Sequence, residues 1–158
     1  MQIFLKKISI LGLILIISAC GFQLRGDIQA NFDSISISGG TSSFNKILQR
    51  KFRQAGISIK NNAQAEKIVE IIVNKFTKTI LTLTGTGTVS EYQLDYKVTY
   101  RFKSKDAPWN LPVTIEATRT YTYDDSDILA KDEEEKRLLS GMEDQLIKTM
   151  AIQISISE

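Results

Sequence analysis

The chain has 158 residues, of which 20 are basic, 18 acidic and none histidine, with a single cysteine and a formal charge of +2. Without histidine it lacks the commonest general base and metal ligand near neutral pH, and one cysteine cannot form an intrachain disulfide. No Gly-x-Ser-x-Gly elbow and no singled-out pair of carboxylates is present, so the sequence reads as a non-enzyme with neither cofactor nor metal.

The first element accounts for the excess of positive charge. Lys6 and Lys7 precede an apolar run from Ile8 to Ala19 that ends in Ile17-Ser18-Ala19-Cys20. Twelve apolar residues are too few to cross a bilayer core, which needs about 20 in a helix. A basic start, a short apolar stretch and small residues before a cut are the features of a secretory signal. A cysteine just after the cut is the acceptor of lipid in bacterial lipoproteins. Residues 1–19 therefore read as a lipoprotein signal peptide, Cys20 as the lipidated first residue, 20–31 as a tether and 32–158 as one α/β domain. Removing Lys6 and Lys7 leaves 18 basic and 18 acidic residues in the remaining 139 (158 minus 19), a neutral balance that gives no support to nucleic-acid binding. Attachment is thus to a membrane, through the N-terminal lipid.

Ser34 to Ser38 alternates isoleucine with serine and reads as the first strand. Gly39-Gly40 turns the chain toward Thr41, Ser42 and Ser43, all competent helix N-caps. Phe44, Ile47, Leu48, Phe52 and Ala55 then form an apolar stripe at helical spacing, ended by Gly56. Ile57 to Lys60 is extended again. Lys67 to Leu83 is rich in Ile, Val, Thr and Phe, as strands are, but its alternation is imperfect: Val69, Ile71 and Val73 share a face while Ile68 and Ile72 are also apolar. That pattern predicts a strand covered on both sides over part of its length. Thr84-Gly85-Thr86-Gly87-Thr88 reads as a hairpin turn, since no helix follows to make it a phosphate loop.

Tyr92, Leu94, Tyr96, Val98, Tyr100 and Phe102 alternate with Glu91, Gln93, Asp95, Lys97, Thr99, Arg101 and Lys103, a strand with one apolar and one polar face. A loop from Asp106 to Pro112 holds the only tryptophan, and Val113 to Tyr123 is a last strand. Asp124, Asp125 and Asp127 suit the start of a helix near Ile128, where they oppose the positive end of its dipole. In that helix Leu138, Leu139, Met142, Leu146, Ile147 and Met150 form the buried stripe. Residues 131 to 137 are charged almost all round, which predicts a projecting first part or a polar partner. Gly141 predicts close packing or a bend. The fold class is α+β: a two-layer sandwich with a four-stranded, mostly antiparallel sheet and two helices on one face, in the order β-α-β-β-β-α.

Several segments together resemble the LPS-assembly lipoproteins of the LptE family, from the Gram-negative outer membrane. They are Cys20-Gly21-Phe22-Gln23-Leu24-Arg25-Gly26, Ser90-Glu91-Tyr92-Gln93-Leu94, Arg119-Thr120-Tyr121, and Leu129-Ala130-Lys131-Asp132 with the acidic run 133 to 135. The resemblance implies a partner of the LptD β-barrel that plugs it, helps it assemble and binds lipopolysaccharide on its way to the outer leaflet. It also implies an outer-membrane location facing periplasm and barrel lumen, which Gly21 fits because lipoproteins kept at the inner membrane tend to carry aspartate there. The family's ligand-contacting lysine matches Lys131, which also stands at helical spacing from Glu134 and Glu135, so an intrahelical ion pair competes with that role. The family has an arginine in the loop before Glu-Tyr-Gln, where this chain has Thr84 to Thr88. Arg101, Lys97 and Lys103 are the candidates to contact lipopolysaccharide in its place. The alternative is an envelope lipoprotein that binds peptidoglycan or another assembly complex.

Overall fold

The computed structural model describes residue 28 and residues 30–156, so the signal segment, Cys20 and most of the tether lie outside the described residues. The elements are β1 (Ser34–Gly39), α1 (Ser42–Gln54), β2 (Ser58–Ile59), β3 (Lys67–Leu83), β4 (Val89–Ser104), β5 (Val113–Thr122) and α2 (Ile128–Ile156), with a short 3-10 turn at Asp125–Asp127 before α2.

The sheet has five strands in the order β2-β1-β3-β4-β5. Four mostly antiparallel strands were expected, and the sheet is instead mixed: β1 runs parallel to both β2 and β3, while β3, β4 and β5 form an antiparallel meander. The fifth strand is only two residues long, and two residues show no period. It exists because Gly56, at φ +83°, turns the chain out of α1 so that the Ser58 N–H can reach the Asp33 carbonyl at 2.9 Å.

Both helices lie on one face. Phe44 of α1 packs its ring 5.9 Å from Tyr96, and Tyr100, two positions along the same face of β4, donates its hydroxyl to Gln153 of α2. Phe44, Leu48 and Phe52 from α1 and Met142, Leu146, Ile147, Met150 and Ile154 from α2 are fully buried against the apolar side of β4. Removing side chains of this size from water stabilises the fold by roughly 1.5–3 kcal/mol each. Thr41 caps α1, its hydroxyl accepting the Phe44 N–H at 3.4 Å.

β3 changes face midway. Val69 and Ile71 stand opposite Phe102 and Tyr100 on the helix side, but a bulge between Ile71 and Val73 shifts the register, so that Asn74, Phe76, Lys78 and Ile80 oppose Val98, Tyr96, Leu94 and Tyr92. The extra residue explains the imperfect alternation. Below the bulge Ile68 and Val69 are both buried, so the strand is covered on both sides there, whereas Ile72 and Val73 are exposed.

Gly141 does not serve close packing. A Cβ built there meets nothing within 4 Å, and α2 continues through it. Gly141→Ala should therefore stabilise the protein by about 0.5–1 kcal/mol through helix propensity alone, read as a higher urea midpoint at unchanged slope.

Candidate functional site at the hairpin end of the sheet

The β3-β4 hairpin continues past β1 and closes through Thr84–Thr88, where the Thr84 N–H donates to the Thr88 carbonyl at 2.8 Å and Gly87 takes φ +83°. At this end the first turns of α2, charged nearly all round, find a polar partner in the hairpin itself. Tyr121 donates its hydroxyl to Glu135 at 2.6 Å, and the Lys78 ammonium meets the same carboxylate oxygen at 2.5 Å. Lys78 also sits 4.1 Å above the Tyr92 ring and 5.6 Å from that of Tyr121. Tyr92 stacks on Tyr121 at 5.8 Å and meets Tyr123 edge-on at 5.1 Å. The ammonium is thus held over aromatic faces, whose negative quadrupole suits a cation.

Charge states follow from these contacts. Burial works against the charged form of Glu135, but the hydrogen bonds from Lys78 and Tyr121 outweigh it and hold the carboxyl below the usual glutamate range. Burial likewise disfavours the Lys78 ammonium, and its bonds to Glu135 and Tyr121 outweigh that, raising it above the ordinary lysine value. The carboxylate contribution is present above the unfolded glutamate pKa of about 4.3 and is lost only as pH falls through the lower folded value. That of Lys78 is present below about 10.4 and is lost as pH rises through its higher folded value, so the pair stays ionised from mildly acidic to mildly basic pH.

Lys131 lies at the same end, one turn before Glu135. Its ammonium pairs with Glu134 at 2.9 Å and donates to the Thr122 hydroxyl at 3.3 Å, so the intrahelical ion pair forms. The other three expected cations lie elsewhere. Lys97, Arg101 and Lys103 occupy the sheet face away from the helices: Lys97 pairs with Glu116 at 2.8 Å, Arg101 pairs with Glu70 at 2.5 Å and lies 4.6 Å from the Trp109 ring, and Lys103 lies 5.5 Å from the same ring. Thr122, which Lys131 touches, pairs with Glu91, ten positions from Arg101 along β4, a separation of roughly 33 Å at strand rise. The four residues therefore do not converge on one site. Lys78 lies at the same end as Lys131, the two pairing with the adjacent α2 carboxylates Glu135 and Glu134. Nothing in the residue pattern marks Lys78, because its side depends on the bulge six residues earlier.

Among the described residues no group of three or more carboxylates or other ligating side chains is placed to hold a metal. Over β4 and β5 the open face of the sheet is polar: Gln93, Asp95, Lys97 and Thr99 of β4 lie beside Thr114, Glu116, Thr118 and Thr120 of β5. Asp95 accepts from the Thr118 hydroxyl at 2.8 Å, and Thr99 and Thr114 share a hydrogen bond at 2.9 Å.

Known proteins place this architecture. The sequence model of the LptE family, described as lipopolysaccharide-assembly, matches residues 32–154. The chain belongs to the LptE family. Among solved structures, the solution structure of an uncharacterized lipoprotein B from Nitrosomonas europaea is 27% identical with a TM-score of 0.70, covering 85% of this chain and 90% of that one. Rare lipoprotein B from Shewanella oneidensis superposes at 0.62 with 24% identity, over 76% of this chain and 95% of that one. A minor lipoprotein from Acinetobacter baumannii gives 0.62 at 20% identity, over 80% and 93%. The latter two share the fold. No curated protein sequence matches the chain. The family match makes this a chain of the lipopolysaccharide-assembly class.

Proposed function

We propose that this LptE-family protein is a non-catalytic plug of the LptD β-barrel in the outer membrane, tethered by lipid on Cys20, which helps the barrel assemble and receives lipopolysaccharide at the hairpin end of its sheet. The observation that carries the plug reading is the open sheet face. Over β4 and β5 it is polar and partly tied within the sheet, by the Lys97–Glu116 pair and the Thr118–Asp95 and Thr99–Thr114 hydrogen bonds, and barrel lumens are lined by polar groups and water. Such a face can sit in a polar, water-lined lumen with its Lys97–Glu116 pair intact, whereas stripping a buried charge of its partner would be costly. It also needs no large apolar patch to be held there.

Lys131 is the proposed lipopolysaccharide contact, and Lys78 is the second cation, standing in for the loop arginine that this chain lacks. Each now shares its charge with a carboxylate that is itself partly exposed. A lipid phosphate brings more charge and several acceptor oxygens, so it can compete for both ammonium groups through charge-assisted hydrogen bonds. Lys97, paired with Glu116, belongs in this reading to the lumen-facing surface.

Co-expression with the LptD barrel from the same genome tests the plug. The expected result is a complex that survives detergent extraction and size exclusion, with little folded barrel recovered when this chain is left out. Recovery of folded barrel without this chain, or sedimentation of the chain with peptidoglycan sacculi, would overturn it.

A further inference from the structure

The end of the domain opposite Lys131 shows apolar side chains that neither the plug nor lipopolysaccharide binding uses. Leu111 is 86% exposed and Trp109 37%, in a loop set between Pro108 and Pro112, while Ile152 and Ile156 at the end of α2 are 51% and 74% exposed. Hydrogen bonds bring these segments to one end. Lys105, at the start of the loop, donates its N–H to the Glu66 carbonyl at 2.9 Å, and the Glu66 carboxylate accepts the Asp33 N–H at 3.0 Å. Asn31 donates its side-chain amide to the Ser155 carbonyl at 2.7 Å, which puts the end of α2 beside the same stretch of chain.

The chain that leads back to Cys20 therefore joins the domain at the end carrying these side chains. Asp33 is thirteen positions after Cys20 (33 minus 20), a reach of at most about 45 Å. Trp109 lies 4.6 Å from the Arg101 guanidinium and 5.5 Å from the Lys103 ammonium. Tryptophan beside lysines, with an exposed aliphatic residue next to it, is the composition that settles at a membrane interface, the indole at headgroup level and the ammonium groups on phosphates.

We propose that this end rests on a phospholipid bilayer, with Leu111 and the outer edge of Trp109 entering the boundary between headgroups and acyl chains while Lys103 and Lys105 meet lipid phosphates. The inference rests on the lipid anchor at Cys20. A few apolar side chains bind a bilayer weakly alone, but an anchor within reach makes the contact intramolecular, where a weak interaction is enough to fix orientation. The domain would then stand upright, its lysine-bearing hairpin end directed away from the lipid.

Trp109 is the only tryptophan in the chain, so its fluorescence reports this loop alone. The full-length lipoprotein is reconstituted into vesicles of phosphatidylethanolamine and phosphatidylglycerol, with and without bromine on the acyl chains. The expected result is a roughly twofold lower Trp109 intensity in the brominated vesicles, as for an indole at the interface, largely relieved in a Leu111→Asp, Lys105→Glu variant with an unchanged melting temperature. Equal intensity in both vesicle types, in protein that floats with them, would leave the anchor standing and overturn the bilayer contact. Blue-shifted but unquenched emission would overturn it too, in favour of a second copy or the chain's own tether covering the loop. Protein that fails to float with the vesicles would remove the anchor, and the inference with it.

Discussion

Gly39→Ala destabilises the protein by about 2–5 kcal/mol, roughly twice or more the effect of the same change at Gly56. Gly39 sits at φ +73°, and a Cβ there would lie 2.2 Å from the Ile71 carbonyl oxygen. The left-handed conformation costs a residue with a side chain about 1–2 kcal/mol, and relieving a clash with backbone in a packed region adds about 1–3. The clash is with a fixed point of the fold: the Gly40 N–H donates to that same Ile71 carbonyl at 3.0 Å, and the Gly39 carbonyl accepts from Asn45 of α1 at 2.5 Å. Gly56 has φ +83° but nothing within 4 Å of an added Cβ, so its alanine variant loses only the conformational term of about 1–2 kcal/mol. Urea unfolding of the two variants separates the effects. Equal losses would mean that the approach of β1 to β3 at Ile71 is not a constraint on the fold.

The same junction explains where the sequence was legible. β4 could be read outright, because six apolar residues alternate with seven polar ones and no slip preserves that pattern. Ile71, Ile72 and Val73 are all apolar, so alternation alone cannot say which of them is the extra residue; that is set by a hydrogen bond from Gly40, which is remote in sequence. Once the register has shifted, Asn74 turns to the helix side, where it accepts from the α1 cap Thr41 at 2.7 Å and donates to the Tyr96 hydroxyl at 3.0 Å. Lys78 follows it to the same side. The candidate site was therefore half visible: Lys131 from a motif, Lys78 only from a bulge. Lys97, Arg101 and Lys103 were correctly placed on the polar face of β4, but a strand pattern shows neither which end of a sheet a distant helix begins at nor which carboxylates stand across from each lysine. β2 was missed as a strand because only its partner β1 makes it one.

Removing both hairpin-end lysines abolishes most lipopolysaccharide binding, and this is the largest functional effect expected of any surface change in the chain. A hydrogen bond to a charged group contributes roughly 1.5–3 kcal/mol, so Lys131→Ala or Lys78→Ala alone should weaken binding by about 10- to 100-fold, at roughly 1.4 kcal/mol per tenfold. The two losses should not simply multiply, since both ammonium groups would serve one phosphate cluster. Lys78→Ala also takes a partner from Glu135, which keeps its bond from Tyr121, so melting temperature is measured alongside. Lys78→Arg preserves the charge over the tyrosines and should retain binding, since guanidinium also stacks on aromatic faces and pairs with phosphate. Lys97→Ala, on the other side of the sheet and paired with Glu116, is the comparison that gives the experiment its direction. Titration of the purified protein with lipopolysaccharide should rank the variants in that order, with affinity falling as salt rises because the contacts are electrostatic. Wild-type binding by the double variant, or a loss at Lys97 as large as at Lys131, would move the ligand from the hairpin end to the open face and leave the Lys78, Tyr121 and Glu135 network as a clamp that fastens α2 to the hairpin.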